Sequence, residues 1–422
     1  MFNTISMIGL GYIGLPTATL FASRKKKVIG VDVNRHAVDT INQGKIHIVE
    51  PDLDMLVQAA VASGYLRATM VPEPADAFLI AVPTPFTNGH KPDLSYIKAA
   101  AEAIAPVLKK DNLVILESTS PVGTTEKLAE WLASARPDLS FPQQAGDAAD
   151  IQIAYCPERV LPGRVVHELV DNDRVIGGMT RTANFMAAAL YKIFVRGDLI
   201  ATNVRTAEMC KLAENSFRDV NIAFANELSM ICDKLDIDVR ELIRLANRHP
   251  RVNILQPGAG VGGHCIAVDP WFIVDKTPDE AQLIRTAREV NDSKADWVLG
   301  KIDQAVAGAL ANGTAADNIR IACLGLAYKA DVDDLRESPA LSIVQALAQK
   351  YPGRIAVVEP HIESLPDILQ DNGTVMMGLQ EAFDWADVNV ALVEHTQFKS
   401  ICFDHLGDKR IVDVAGIRKN EA

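Results

Sequence analysis

The sequence predicts an α/β protein in which two Rossmann-like domains are joined by a long central helix and a helical connector. Short apolar runs alternate with helical segments over residues 5–155 and again over residues 319–412. Such alternation is typical of parallel sheets covered by helices. Residues 204–235 contain neither Gly nor Pro, which predicts one long helix. We expect domains at residues 1–200, 201–312 and 313–422.

Length and composition fit this organisation. A chain of 422 residues, 48% hydrophobic and 23% charged, can form two or three ordinary globular domains. The net charge of −12 disfavours nonspecific binding to nucleic acid or to anionic membranes. No apolar run reaches the length of a membrane span, and the first residues lack a basic leader. We expect a soluble cytoplasmic protein with no nucleic-acid or membrane partner.

Six cysteines are scattered along the chain without a CxxC pair, at positions 156, 210, 232, 265, 323 and 402. This spacing argues against a disulfide scaffold and against a structural zinc site. We predict no metal ion.

The first strand leads into a dinucleotide-binding pattern. Residues 5–8 read as a buried strand and residues 17–23 as a helix, with Gly9, Gly11 and Gly14 between them as GxGxxG. These glycines permit a tight turn, close approach to a pyrophosphate, and packing of the helix on the strand. The pattern predicts a dinucleotide cofactor.

The second strand indicates which dinucleotide is bound. Residues 28–31 form the strand, which ends at Asp32. A carboxylate there accepts hydrogen bonds from ribose hydroxyls and repels a 2′-phosphate, so we predict NAD rather than NADP. Arg35 close by is the one feature against that preference.

Two threonines follow the next strands. The strand predicted at residues 78–82 leads to Thr84, and the strand at residues 113–116 leads to Thr119. Ligands of doubly wound sheets bind beyond the carboxyl ends of the strands, where a cofactor or a catalytic water would meet both hydroxyls. The alternative is that both are turn or helix-cap threonines.

Glu158 and Arg159 follow the strand predicted at residues 151–155, in a loop between Pro157 and Pro162. Their place at the carboxyl edge of the sheet favours an acid/base residue and an anion clamp. The alternative is a solvated ion pair.

The central helix presents Lys211, Asn215 and Arg218 on one face, at i, i+4 and i+7. Neighbouring residues such as Phe217 and Phe224 are apolar, so we expect the helix to be mostly buried. A buried lysine needs a partner, and its pKa can fall to a value suited to proton transfer. The alternative is a solvated polar stripe.

A basic loop at residues 247–253 and a glycine-rich segment precede Cys265. Five of the seven residues from Pro257 to Gly263 are Gly or Pro, so no regular helix or strand runs through them. Backbone N–H groups of such a turn stabilise a thiolate or an oxyanion. Asp269 comes within reach if a helical turn starts there. The alternatives are a surface turn for the basic loop and a small buried hydrophobe for the cysteine.

The C-terminal region reads as a second, degenerate nucleotide fold. A helix is predicted at residues 281–310, and a strand at residues 319–324 then runs into Gly325 without completing a GxGxxG. Two mononucleotide folds in one chain suggest one ligand on each. Further strands are predicted at residues 355–358, 388–392 and 410–412.

Together these motifs resemble the nucleotide-sugar 6-dehydrogenases of the UDP-glucose/GDP-mannose dehydrogenase family, from residue 5 to residue 414. The matching stretches are GLGYIGLP at 9–16, VPTP at 82–85, ESTSPVGTT at 117–125, PERVLPG at 157–163, AEMCKLAENSFRDVNIAFANE at 207–227, GVGGHCIAVDP at 260–270 and GLAYKADVDDLRESP at 325–339. Within the family, PERVLPG and NRHPRVN resemble the branch that acts on UDP-N-acetylmannosamine.

The resemblance implies a role for each matching residue. Cys265 matches the nucleophile, and Lys211 matches the general acid/base. Asn215 and Asp269 match the residues that orient them, while Glu158 and Thr119 match the pair that handles the hydrolytic water. The candidate NAD contacts are Gly9, Gly11, Tyr12, Ile13, Gly14, Asp32, Arg35, Thr84, Thr119 and Arg336. The candidate UDP-sugar contacts are Arg159, Val160, Lys211, Asn215, Arg218, His249, Arg251, Gly262, Tyr328 and Lys329.

The implied reaction is a four-electron oxidation at C6 of the sugar, with two NAD per substrate and a thiohemiacetal and thioester on Cys265. The implied product, UDP-N-acetylmannosaminuronate, feeds surface polysaccharides such as enterobacterial common antigen. The family is dimeric, and Arg251 is expected to reach the neighbouring site. Many members end the last strand with Asp-x-Arg, whereas this chain has Asp413-Val414-Ala415, which leaves the role of Arg418 open.

Three alternatives remain open. The substrate is UDP-glucose or UDP-N-acetylglucosamine in the first. The second is a one-step β-hydroxyacid dehydrogenase, which shares the nucleotide fold and the long helix but needs neither Cys265 nor the second nucleotide fold. The third is an NAD-sensing regulatory module, which leaves Lys211 and Cys265 unexplained.

Overall fold

Two large sheets organise the chain, as the alternation of strands and helices predicts. They lie in separate units, Met1–Glu214 and Asn215–Ala422. The structure is a computed structural model that describes residues 2–48, 50–87, 89–160, 163–263, 265–400 and 410–418. Leu161, Pro162 and His264, which belong to two of the motifs above, lie outside the described residues. The α/β fold class is confirmed, and the three-domain division stays a prediction.

Ten strands belong to the first unit. They are β1 Thr4–Ile8, β2 Lys27–Val31, β3 Leu66–Thr69, β4 Ala77–Ile80, β5 Phe86–Thr87, β6 Lys91–Pro92, β7 Asn112–Leu116, β8 Ile151–Tyr155, β9 Arg174–Gly178 and β10 Leu199–Asn203. Eight of them form one sheet in the order β10-β9-β8-β7-β4-β1-β2-β3, and β5 pairs with β6. After β1 the chain adds β2 and β3 on one side of it, and then adds β4 on the other side. Ligands bind at such a switch point.

Helices cover both faces of this sheet. They are α1 Gly14–Ser23, α2 Arg35–Asn42, α3 Leu53–Ala62, α4 Ser95–Ile104, α5 Thr124–Ala135, α6 Pro142–Ala145, α7 Val165–Asp171 and α8 Arg181–Tyr191. The central strands β4, β7 and β8 are buried at every residue, which explains their continuous apolar runs. The antiparallel pairing of β8 with β9 was not anticipated, because β9, α8 and β10 carry no recognised motif.

The predicted central helix is present as α9, Val204–Lys234. The expectation that it is mostly buried is wrong, because Phe217 is 73% exposed and Phe224 is 51% exposed. Arg218 is also exposed, whereas Lys211 is buried. The periodicity correctly predicted a helix with two different faces. The face that carries Phe217 and Phe224 was wrongly expected to be buried.

The second unit is built on a five-stranded parallel sheet. Its strands are β11 Ile321–Leu324, β12 Ile355–Val358, β13 Val375–Met376, β14 Val388–Ala391 and β15 Arg410–Asp413. They pair in the order β13-β12-β11-β14-β15. The strand order therefore also reverses at β11, which has β12 on one side and β14 on the other. Its helices after α9 are α10 Val239–Ala246, α11 Asp269–Lys276, α12 Gln282–Ala311, α13 Pro339–Lys350, α14 Asp367–Gln370 and α15 Leu379–Trp385.

Local chemistry sets several of these boundaries. Asn34 caps α2 by accepting from the backbone N–H groups of residues 36 and 37, and Asp238 caps α10 in the same way. Ser338 caps α13, whose first residue is Pro339. Caps of this kind satisfy N–H groups that have no partner within the helix. Among the described residues, every helix is too short or too polar to span a lipid bilayer.

Lys294 places an ammonium group inside the second unit. The residue is 1% exposed, its Nζ donates to Ser229 Oγ at 2.5 Å, and Nζ lies 3.6 Å from the centroid of the Trp297 ring. Burial lowers the pKa of Lys294 from 10.5 to about 7. Between these two values the unfolded chain binds more protons than the folded one, so the free energy of unfolding rises with pH.

We expect Lys294→Met to abolish this contribution. The free energy of unfolding of the wild type, relative to the variant, should rise from pH 7 to pH 10 by at most about 1.4 kcal/mol per pH unit. Denaturant unfolding at each pH measures it. Lys234→Met removes an exposed ammonium at the end of α9 and serves as the control. A difference between wild type and Lys294→Met that stays constant over this range contradicts the argument.

Candidate active site

The glycine turn after β1 has the geometry that a dinucleotide requires. Gly9 has φ +92°, and its N–H donates to Val31 O at 2.8 Å. A Cβ at Gly14 would lie 1.8 Å from the carbonyl oxygen of Gly9, so α1 packs directly on the turn. A Cβ at Gly11 would meet nothing within 4 Å. The middle glycine therefore borders open space, where a pyrophosphate can approach the backbone.

Asp32 closes the same turn from the end of β2. Its Oδ2 accepts from the N–H of Leu10 at 2.9 Å, and its Oδ1 accepts from the N–H of Asn34 at 2.8 Å. The carboxylate is half-buried and is held where ribose hydroxyls would reach it. Tyr12 and Ile13 of the turn are also half-buried, whereas Arg35 is exposed at the first position of α2.

The two threonines lie at the carboxyl edge of this sheet, as predicted. Thr84 follows β4, and its Oγ1 is buried without a hydrogen-bond partner among the described residues. Thr119 follows β7 and is half-buried. An unsatisfied buried hydroxyl is expected where a polar ligand completes the bonding. The open side of Gly11, the held carboxylate of Asp32 and this hydroxyl together fit NAD.

Lys211 meets an acidic partner from the neighbouring loop. Its Nζ lies 3.1 Å from Glu158 Oε1, and both side chains are largely buried. The other oxygen, Glu158 Oε2, accepts from the N–H of Val160 at 2.9 Å. A lysine and a carboxylate in contact can exchange a proton with a substrate hydroxyl or with water.

Arg159 does not pair with its neighbour Glu158. Its guanidinium instead contacts Glu214 of α9, with Nε–Oε2 at 3.1 Å and Nη2–Oε1 at 2.7 Å. The two parallel contacts fix the plane of the guanidinium. The alternative of a solvated Glu158–Arg159 pair is therefore excluded, since each residue has a different partner on α9.

A second pair links α9 to the start of α11. Asn215 Nδ2 donates to Asp269 Oδ2 at 2.5 Å, and Asp269 is 3% exposed. Asp269 begins α11, and its N–H donates to the carbonyl of Cys265 at 2.8 Å. The expected helical turn therefore does connect Cys265 with Asp269. Cys265 itself is half-buried, so it is not an inert core residue.

Residues 257–263 and Cys265, which we call the cysteine loop, include two glycines that pack closely against Tyr328. Built Cβ atoms would lie 2.8 Å from Tyr328 Cβ at Gly262 and 2.9 Å from its ring at Gly263. Gly263 also has φ +81° and donates to the carbonyl of Arg336 at 3.0 Å. Burial, with the nearby Asp334 and Cys265, raises the pKa of Tyr328. Only glycine fits at these positions.

The turn after β11 repeats the construction of the first glycine turn. Gly325 has φ +93° and donates to Val358 O at 2.9 Å, and Leu326 N–H donates to Glu359 Oε2 at 2.7 Å. Here the carboxylate is fully buried and also accepts from His395 Nε2 at 3.1 Å. Burial alone would raise the pKa of Glu359, but the bonds from His395 and the backbone lower it.

Asp331, His361 and His395 bring three potential metal-ligand atoms within 4.8 Å of one another. The N–H of Asp331 donates to His395 Nδ1 at 2.9 Å, so the lone pair of that nitrogen is already used. Asp331 Oδ2 accepts from Thr396 Oγ1 at 2.7 Å. These hydrogen bonds of Asp331 with His395 and Thr396 therefore hold the segment that carries Tyr328 in place.

The remaining predicted contacts are separate from these pairs. Lys329 Nζ lies 5.9 Å from the centroid of the Tyr328 ring, and Arg336 forms a bidentate pair with Asp334, at 2.9 and 2.6 Å. Residues with exposed side chains are Arg218, His249 and Arg251. The backbone N–H of Arg418 donates to Asp413 Oδ2 at 2.9 Å, and the residue is exposed, so the role of its side chain stays open.

Sequence analysis missed a buried polar cluster at the carboxyl edge of β7 and β8. Tyr191 Oη donates to Glu117 Oε1 at 2.6 Å, and the Arg174 guanidinium lies 4.5 Å from the centroid of the Tyr191 ring. Arg174 Nη1 is 4.0 Å from Cys156 Sγ. Burial raises the pKa of Glu117. Glu117 and Cys156 each directly follow a buried strand. This position is the sequence feature from which the cluster could have been predicted.

Sequence models of one enzyme family match three regions of the chain. The NAD binding domain matches residues 3–195, the central domain residues 205–293 and the UDP binding domain residues 322–420. The chain belongs to the UDP-glucose/GDP-mannose dehydrogenase family. It is an NAD-dependent nucleotide-sugar dehydrogenase, and the predicted cofactor is confirmed. The β-hydroxyacid dehydrogenase and NAD-sensor alternatives do not account for a UDP binding domain.

Individual relatives resemble the dehydrogenase over nearly its whole length. An NDP-N-acetyl-D-galactosaminuronic acid dehydrogenase of Ralstonia nicotianae is 63% identical, covering 99% of this chain and 96% of the relative. A UDP-N-acetyl-D-mannosamine dehydrogenase of Yersinia pestis is 64% identical, covering 99% of both chains. The solved structure of UDP-D-ManNAc dehydrogenase from Pyrococcus horikoshii has a TM-score of 0.89 at 38% identity, covering 99% of this chain and 96% of that one.

The glycine turn of the dehydrogenase yields a prediction with a built-in control. We expect Gly11→Ala to leave the melting temperature nearly unchanged but to weaken NAD binding by about tenfold or more, because the methyl group enters the space of the pyrophosphate. Gly14→Ala should instead lower the melting temperature by several degrees, because it forces α1 off the turn. Calorimetric NAD titration and thermal melts distinguish the two. Wild-type NAD affinity in Gly11→Ala would contradict the assignment.

Proposed function

We propose that the dehydrogenase oxidises the C6 hydroxymethyl group of UDP-N-acetyl-D-mannosamine to a carboxylate, with two NAD per sugar. The sugar assignment is supported by the Yersinia pestis and Pyrococcus horikoshii relatives, which are dehydrogenases of that compound. The Ralstonia nicotianae relative handles an N-acetylgalactosaminuronic acid. An N-acetylated hexosamine is common to these relatives, so UDP-N-acetylgalactosamine is the second candidate.

The pairing of α9 side chains is the observation that carries the proposed chemistry. Lys211 and Asn215 are four residues apart, so they project from the same face of the helix on successive turns. Each has an acidic partner, Glu158 for Lys211 and Asp269 for Asn215. Asp269 in turn bonds to the backbone of Cys265. Lys211 and Glu158 thus form a pair in the first unit, and Asn215, Asp269 and Cys265 are linked in the second.

In the first step we assign proton removal to Lys211. Its amine, paired with Glu158, takes the proton of the C6 hydroxyl as the aldehyde forms. NAD held at the glycine turn and Asp32 would supply the hydride acceptor, and because each NAD can take one hydride, oxidation of an alcohol to an acid would require two. Asn215 Nδ2 and the protonated Lys211 would then stabilise negative charge on the C6 oxygen.

Cys265 would retain the aldehyde between the two oxidations. Its sulfur adds to the carbonyl carbon and the oxygen takes a proton, which gives a thiohemiacetal. Loss of the remaining C6 hydride and of the hydroxyl proton leaves a thioester. Water then attacks the thioester carbon, the C–S bond breaks, and the carboxylate and free thiol are released. We assign activation of this water to Glu158 and Thr119, which lie at the same sheet edge.

Binding roles follow from the positions described above. The proposed NAD contacts are Gly9, Gly11, Tyr12, Ile13, Gly14, Asp32, Arg35, Thr84, Thr119 and Arg336. The proposed UDP-sugar contacts are Arg159, Val160, Lys211, Asn215, Arg218, His249, Arg251, Gly262, Tyr328 and Lys329. Arg159 would exchange its carboxylate partner Glu214 for a substrate anion, since its guanidinium is partly exposed.

The stoichiometry and the sugar can be tested together. We expect NADH formation with UDP-N-acetylmannosamine to exceed that with UDP-N-acetylgalactosamine, UDP-N-acetylglucosamine and UDP-glucose by at least about tenfold in kcat/KM. Two NADH should appear per sugar consumed, measured by absorbance and by mass spectrometry of the product. One NADH per sugar with free aldehyde would refute the covalent step.

Cys265→Ser is the matched variant, because oxygen replaces sulfur at nearly the same size. We expect it to bind NAD normally but to stall, with a turnover reduced by at least about 1,000-fold or with a trapped adduct. Intact-protein mass spectrometry detects the adduct. Cys210→Ser changes another half-buried thiol and should keep full activity.

We also infer that two copies of the dehydrogenase associate through α9. Its exposed large apolar residues recur on one side of the helix: Met209, Phe217, Phe224 and Ile231. At about 100° per residue they fall within an arc of about 80°, along roughly 33 Å of helix. A stripe of this size on a water-facing helix marks an interface. A second copy presents the same stripe, so a two-fold pairing covers both.

A single charge in the stripe tests this pairing. We expect Phe217→Glu to convert a dimer into a monomer, because it buries an unpaired carboxylate. Multi-angle light scattering after size-exclusion chromatography measures the mass. Phe185→Glu alters a phenylalanine of α8 that is 66% exposed and should leave the dimer intact. A monomeric wild type at micromolar concentration would overturn the inference.

A further inference from the structure

The cysteine loop is tied to two helices through buried amide side chains. The N–H of Gly258 donates to Asn226 Oδ1 of α9 at 2.9 Å. Asn226 Nδ2 then donates to Asn291 Oδ1 of α12 at 2.9 Å. Asn226 is fully buried and Asn291 is 1% exposed, so the bond between the two amides is shielded from water, while the bond at Gly258 is half-buried.

An ion pair lies at the other end of this chain of hydrogen bonds. Asn291 Nδ2 donates to Asp219 Oδ1 at 2.8 Å and to the Asp219 carbonyl at 3.2 Å. Arg288 Nη1 donates to the same Oδ1 at 2.7 Å, and its Nη2 contacts Asp292. The Asp219 and Arg288 side chains are 0% and 2% exposed. The pair is thus a fully desolvated charge centre between α9 and α12.

The chemistry of the two ends permits only one orientation of the amides. Asp219 offers two acceptors to Asn291, which must therefore turn its NH2 toward them and its oxygen toward Asn226. Asn226 must then turn its NH2 toward Asn291, which leaves its oxygen for Gly258. Gly258 N–H can only donate. These bonds are mutually compatible, and reversing either amide would remove the donor from Asp219 Oδ1 or the acceptor from the N–H of Gly258.

The loop also packs against α12 at a second point. A Cβ built at Gly260 would lie 3.2 Å from the carbonyl oxygen of Asn291 and 3.0 Å from the ring of Pro339. The bond at Gly258 and this close packing at Gly260 fix the loop before it reaches Cys265. A displacement of either would be transmitted to the thiol along a few residues.

We propose that Asn226, oriented through Asn291 by the Asp219–Arg288 pair, is a positioning residue that fixes the cysteine loop and hence the Cys265 thiol. It touches neither substrate nor cofactor in the mechanism above. The effect on turnover rests on the proposed role of Cys265, whereas the effect on the loop does not. Asn226 lies three turns beyond Asn215 on α9, so one helix would carry both a residue of the chemistry and the anchor of the nucleophile's loop.

The test uses the full-length enzyme and three variants of the network. In Asn226→Ala and Asn291→Ala, we expect amide hydrogen exchange of peptides spanning the cysteine loop to be at least about tenfold faster. The kcat should fall roughly 10- to 100-fold, as for a misplaced reactive group. The KM for NAD should stay within about twofold, because the nucleotide turn belongs to the other unit.

Asn226→Asp distinguishes the contribution of the whole network from that of the single bond at Gly258. It keeps the oxygen that accepts from Gly258 but replaces the donor that faces Asn291, so we expect it to behave like Asn226→Ala. Wild-type exchange and kcat in Asn226→Asp would show that the ion pair has no part in holding the loop, and would overturn the proposal.

Val298→Ala is the matched control for lost stability. Val298 is fully buried on α12, two turns beyond Asn291, and its truncation should lower the melting temperature without changing loop exchange or kcat. If Val298→Ala reproduces the loss of kcat, or if Asn226→Ala loses kcat while the loop exchanges as in the wild type, the positioning role is refuted. Full activity in Cys265→Ser would refute the proposed function instead, while exchange in the asparagine variants would still report on the loop.

Discussion

Charged and amide side chains on the buried face of α9 require partners, and the pairs that they form determine much of the site. Burying a charge or an amide without a hydrogen bond costs several kcal/mol. Partners come from distant parts of the sequence: Glu158 for Lys211, Asp269 for Asn215, and Arg288 for Asp219. Each pairing brings a loop or helix to a fixed place beside α9.

The same helix exposes its largest apolar side chains, although smaller ones such as Leu212 and Ala225 are buried. Glu208, Lys211, Asn215, Asp219 and Asn226 fall within an arc of about 80°, roughly opposite the exposed stripe that contains Phe217 and Phe224. Glu208 accepts from the N–H groups of residues 123 and 125 at the start of α5, which gives a further buried carboxylate a partner. The buried face of the helix is therefore unusually polar, and its exposed face carries large apolar residues among charged ones.

The distribution of polar and apolar residues on α9 shows which features of the structure could be predicted from the sequence. Features that depend on local spacing were predicted correctly. They are the bounds of α9, the presence of two different faces on it, the glycine turn after β1 and the position of Asp32. Periodicity cannot say which face is interior, so the burial of Phe217 was wrongly predicted. The partner of Lys211 is 53 residues away, and the Glu117–Arg174–Tyr191 cluster joins elements without a motif. Such contacts depend on the packing of the whole unit.

The glycine turns after β1 and β11 are nearly superimposable in their bonding, yet their carboxylates differ in availability. Asp32 is half-buried at the edge of its sheet, whereas Glu359 is enclosed and bonded to His395 and to backbone N–H groups. A ribose diol could approach the first carboxylate, whereas burial keeps it away from the second, where Glu359 Oε1 accepts from the N–H of His361. The second copy of the nucleotide turn is therefore closed to a ribose held in the way that Asp32 would hold one.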